Sequence, residues 1–148
     1  MTGRAFGPWS GELRLVLLLD RLHAATRQGR QDWAVEAPLT YRTRAGDRIT
    51  VPAGFVTDLA SIPRPATALF VPSGGYTLAA VVHDWLYATR GSCLWKGHPR
   101  GCIRSMPYTR AEADQILLQA MTDLNVGRFT RVVIWAAVRL GGGKGFGH

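Results

Sequence analysis

Residues 81–87 read VVHDWLY. A histidine trades a proton near neutral pH, and an aspartate can orient it, hold a cation or pair with an arginine. His83 and Asp84 stand side by side in an almost unbroken apolar run, where an ionisable group is costly unless it is partnered. Adjacent residues on a helix diverge by about 100°, so the two cannot serve one point and should have different partners. His83 has Ala79 and Tyr87 one turn away on either side. Asp84 has Ala80 and Ala88, which leave room beside it.

A second misplaced carboxylate lies further on, in TRAEADQILLQAMTDL. Projected at 100° per residue, Glu112, Gln115, Gln119, Thr122 and Asp123 share one polar arc. Asp114 falls in the apolar arc, between Leu118 and Met121, and must be partnered there or protonated. If the two helices pack antiparallel, Asp114 can accept a hydrogen bond from one imidazole nitrogen of His83. That fixes the tautomer and leaves the other nitrogen as a base. Asp84 would then be available to bind a cation, meet an arginine or cap nearby backbone. The same residues also fit a polar network, with Tyr87, that fixes helix packing without chemistry. Arg110, one turn before Asp114, could pair with either aspartate.

The elements that must position these groups divide the chain into a β-rich first half and a helical second half. ELRLVLLL and DWAVEAPLTYRT have strand composition. Thr40–Thr43 and Arg48–Val51 read as the arms of a hairpin around Ala45-Gly46-Asp47. Pro63 and Pro65 forbid a regular strand or a helix interior in the stretch that follows. Three helices are predicted: Thr77–Ala88; one capped by Thr109 with Glu112 as a capping box, running to Leu124; and Arg128–Leu140, stopped by Gly141-Gly142-Gly143. A loop of about twenty residues separates the first two helices, and a loop of that length is usually functional or an insertion. The expected fold class is α+β, an N-terminal antiparallel β-meander or hairpin packed on a C-terminal three-helix unit. The expectation is one domain over 1–148, with 1–65 as the β-rich half, 77–140 as the helical half and 141–148 as a glycine-rich tail.

The third helix carries Arg128, Arg131, Trp135 and Arg139 in a narrow arc. Such a stripe suits phosphate groups or an acidic protein surface, or is an ordinary solvated face. The whole chain has a net charge of +8, which favours anionic partners: nucleic acid, lipid head groups or acidic protein. No apolar run approaches the roughly 20 residues of a bilayer span. The block Leu15–Leu19 is too short for a signal-peptide core, so no export signal and no transmembrane segment are expected. Cys93 and Cys102, with His98 between them, could be free thiols, a disulfide or part of a metal site, although zinc prefers tighter spacing.

The run VPAGFVTDLASIPR, then HDWLY, then the acidic residue in AEADQILLQAM, resembles the DUF1353 domain of tailed phages and prophages, over about Leu39 to Leu140. The resemblance implies a phage or prophage origin and brings no established activity. HDWLY is also similar to the His-Asp-x-x-Tyr helix of phospholipase A2. That likeness implies His83 as the base that activates water, Asp114 as its orienting group, Tyr87 as a brace and Asp84 as a calcium ligand. The enzymes' Gly-rich calcium loop has no clear counterpart, so Asp58 and Ser61 are candidates to complete the shell.

Two functions follow as expectations. One is a hydrolase whose His-Asp dyad activates water against an ester or amide of the host envelope. The other is a non-catalytic virion, tail or assembly protein, in which the dyad only stabilises packing. The first implies an anionic lipid or envelope substrate and the second implies other virion proteins. Location would be the virion, or the host cytoplasm during assembly. There is no specific nucleic-acid motif, and charge alone is weak support for such a role.

Overall fold

The computed structural model describes residues 7–18, 33–57 and 76–146. It is an α+β fold with strands in the N-terminal part and three helices after them. The strands are β1 (Trp9–Ser10), β2 (Leu15–Leu17), β3 (Trp33–Val35), β4 (Leu39–Arg42), β5 (Arg48–Val51) and β6 (Val56–Thr57). The helices are α1 (Tyr76–Ala88), α2 (Arg110–Asp123) and α3 (Arg128–Gly141).

The strands form two small antiparallel sheets, ordered β1-β4-β5 and β2-β3-β6, rather than one meander. Prolines explain the division. DWAVEAPLTYRT is cut at Pro38 into β3 and β4, and RITVPAGFVTD at Pro52 into β5 and β6, because proline cannot donate to a ladder. The β4–β5 hairpin appears as expected, with Leu39 opposite Val51, Tyr41 opposite Ile49, and the turn closed by the Thr43 N–H donating to the Asp47 carbonyl. Alternation sends Leu39, Tyr41, Ile49 and Val51 into the core, and Thr40, Arg42, Arg48 and Thr50 to the other face.

All three helices lie within a residue or so of their expected bounds. The capping box at Thr109 and Glu112 is present in both directions. Helix α1 is buried along nearly its whole length and packs on β5, β6 and α2. Tyr87 reaches Arg110 while His83 reaches Asp114, so α1 and α2 run antiparallel. Phe55, Trp85 and Trp95 meet edge to face, with centroids 5.3–6.0 Å apart. They join strands, helix and long loop in one buried cluster.

The loop between α1 and α2 is stitched down. The Thr50 N–H donates to the Gly101 carbonyl at 2.6 Å, and the Gly101 N–H to the Cys93 carbonyl. Asp47, in the hairpin turn, accepts from the N–H groups of Ile103 and Arg104 and from the Tyr108 hydroxyl. Gly91 has φ +75, and a Cβ there would lie 1.9 Å from the Tyr108 carbonyl oxygen, so only glycine fits. Cys93 and Cys102 are buried free thiols. Burial first, then the neighbouring Cys102, pushes the Cys93 thiol far up, so it is not an activated nucleophile. His98 stacks on Trp95.

Candidate functional site

Helix α1 brings His83 and Tyr87 to the same face, one turn apart, and their rings lie 4.1 Å apart. Helix α2 offers Asp114 to that face. His83 Nε2 stands 2.8 Å from Asp114 Oδ1, and the Tyr87 hydroxyl donates to the same oxygen at 2.5 Å. Helix α3 supplies a third partner, Arg139, whose Nη1 donates to Asp114 Oδ2 at 2.7 Å. The side chains of His83 and Asp114 have no exposed surface. One carboxylate therefore ties three helices together.

Burial raises the Asp114 pKa, but the hydrogen bonds from His83, Tyr87 and Arg139 outweigh it and hold the group below the usual carboxylate range. Asp114 is thus ionised and can only accept, so the His83 proton in this bond sits on Nε2. His83 Nδ1, on the far side of the ring, is buried and has no hydrogen-bond partner among the described residues. Burial, then the bond to Asp114, drives the Tyr87 hydroxyl far above its ordinary value, so it remains a donor. Arg110 adds a second cation. Its Nε donates to the Tyr87 oxygen at 3.3 Å, and its Nη2 caps the end of α3 at the carbonyls of Val138 and Arg139, where the helix dipole favours positive charge.

Asp84 points elsewhere, as the angular argument required. Its Oδ2 accepts from the Thr57 hydroxyl on β6. Asp58 and Ser61, the other candidate ligands, lie outside the described residues. Among the described residues no three His, Cys, Asp or Glu side chains gather as a metal would need.

The stripe on α3 is divided. Arg139 turns to Asp114, Arg131 Nη1 donates to the Val126 carbonyl, and Arg128 is exposed. Arg139 is the member of the site that helical projection did not assign to it. The available signal was that Asp114, in an apolar arc beside a histidine that is not obligatorily charged, still needed a permanent cation.

A family model described as "Protein of unknown function (DUF1353)" matches residues 33–138. No curated protein and no solved structure matches the chain.

Proposed function

The chain belongs to the DUF1353 family, whose description assigns no activity, and on the geometry of the site we propose that it is a hydrolase in which His83 activates water. The observation that carries this is that His83 Nδ1, opposite an Nε2 held by Asp114, has no hydrogen-bond partner among the described residues. A network built only for packing satisfies its polar atoms. Trp9, Trp85 and Gln119 each also leave one buried atom unpaired, but among these four only the imidazole nitrogen is a base near neutral pH.

In this reading Nδ1 takes a proton from water as the oxygen attacks an ester or amide carbonyl, and returns it to the departing alcohol or amine as the tetrahedral intermediate collapses and the C–O or C–N bond breaks. Asp114 holds the ring and offsets the positive charge that develops on it. Tyr87 and Arg139 fix Asp114. The roles are those implied by the phospholipase A2 resemblance. Calcium, which the same resemblance implies, would take Asp84 as a ligand. Among the described residues no group of three His, Cys, Asp or Glu side chains gathers around a metal position, and no step is routed through a metal. The substrate is taken to be an ester or amide of a bacterial envelope, and the protein to be carried in or assembled with a virion. That choice rests on the phage resemblance of VPAGFVTDLASIPR and HDWLY, and the net charge of +8 suits an anionic surface.

One observation favours a second reading, a purely structural network: neither His83 nor Asp114 is exposed, and both oxygens of Asp114 are occupied. Turnover separates the two. Phosphatidylglycerol vesicles, a fluorogenic ester and peptidoglycan should be incubated with the protein, with and without calcium. The hydrolytic reading expects cleavage of at least one of them, lowered about a hundredfold or more by His83→Ala, with far-UV circular dichroism unchanged. No cleavage by the parent, or equal rates from parent and variant, leaves the structural reading standing.

A further inference from the structure

The outer face of the β1-β4-β5 sheet carries a second concentration of chemistry. Thr40 and Thr50 pair across the ladder, and their hydroxyls are 2.9 Å apart. Ser10 extends the row on β1, opposite Thr40. The next row on the same face is Arg42 opposite Arg48. Like charges directly opposite on an antiparallel pair are destabilising, yet both guanidiniums sit here, exposed. A third, Arg100, reaches the same place from the long loop, held by Nη1 donating to the Ser105 carbonyl at 3.2 Å. These six side chains line an open cavity of about 530 Å³, and among the described residues no carboxylate lines it. Asp47, the nearest acidic residue in sequence, is taken up by the N–H groups of Arg48, Ile103 and Arg104.

We infer that this cavity is an anion site for a small phosphomonoester. Three guanidiniums can neutralise a phosphate dianion, and a guanidinium fork suits phosphate oxygens. The Ser and Thr hydroxyls add donors that suit either phosphate or sugar oxygens. The volume lies within the range of small-molecule pockets and leaves room beyond a bare phosphate. The like-charge pair is then explained by the ligand that neutralises it. The site is separate from the His83 cluster and does not depend on the hydrolytic reading.

The test is calorimetric titration of the full chain with inorganic phosphate, ribose 5-phosphate and ribose at low ionic strength. Ribose 5-phosphate and phosphate should bind, and ribose should not. Arg42→Gln/Arg48→Gln should weaken both phosphates by about tenfold or more, while Lys96→Gln, an exposed charge outside the cavity, should leave them unchanged. Both arginines are exposed, so the double variant should fold, and without phosphate its melting temperature should equal or exceed the parent's. Absence of phosphate binding by the parent, equal affinity in the double variant, or ribose binding as tightly as its phosphate would each overturn the assignment.

Discussion

Asp114 concentrates the energetics of the site in one side chain. Its two oxygens accept from His83, Tyr87 and Arg139. Removing one partner of a buried ion pair strands the other, at a cost of about 3–5 kcal/mol. Asp114→Asn should therefore lower unfolding free energy by roughly 3 kcal/mol in urea titrations. The acid limb of stability follows with a definite sign. The folded pKa of Asp114 lies below its ordinary value, so the unfolded chain binds the proton more readily. The stabilisation is present above the unfolded carboxylate range and is lost as pH falls through the folded value. Urea midpoints measured from neutral pH downward should show less acid loss in Asp114→Asn than in the parent.

At the scale of elements, helix α2 is held at its start by reciprocal capping and by an arginine. Glu112 accepts from the Thr109 N–H and from both Nη atoms of Arg104, and the Arg104 bond first, then the Thr109 N–H, lowers its pKa against the opposing effect of burial. Arg104 in turn lies 4.3 Å over the Tyr108 ring. Thr109→Ala removes the side-chain cap alone and should cost about 1 kcal/mol, read as a shift in denaturation midpoint with unchanged slope. The far end of α3 is closed differently. The expected stop at Gly141 becomes one further 3-10 turn, Gly142–Lys144. A Cβ at Gly142 would stand only 3.1 Å from the Tyr87 oxygen, and Phe146 packs edge-on to the Tyr87 ring at 5.1 Å. The start of the glycine-rich tail is thus shaped by the site it covers.

Across the molecule, one buried cluster holds Trp9, Tyr41 and Ile49 from the strands with Trp85, Leu117 and Ile134 from the helices. Far-UV and near-UV circular dichroism should therefore report one coincident thermal transition; separated midpoints would show two independent units. What could be read from the sequence follows the same geometry. Periodicity encodes which face a residue occupies, so the pairing of His83 with Asp114 was legible from two polar residues on apolar arcs. Arg139 was not, because its arc also held Arg128 and Arg131, and the choice between solvent and Asp114 is made by the tilt of a third helix. Strand composition located the β segments except the two-residue β1, but β1 pairs with β4 and β3 with β6, and local pattern carries no record of a distant partner. The arginine cavity was hidden for the same reason: Arg100 meets Arg42 and Arg48 only after the loop folds back on the sheet.

The stitching of that loop by Asp47 governs how the native protein meets a protease. Residues 89–109 carry Arg90, Lys96, Arg100 and Arg104, four tryptic sites in one connection without regular structure. Cleavage requires several residues of extended, unpaired backbone, and the bonds from Ile103, Arg104 and Tyr108 to one carboxylate deny it. Limited trypsin digestion under native conditions should spare Arg104 in the parent. In Asp47→Ala the same bond should be cut early, releasing two fragments that separate only on denaturation, because the core contacts between the sheets and the helices survive the nick.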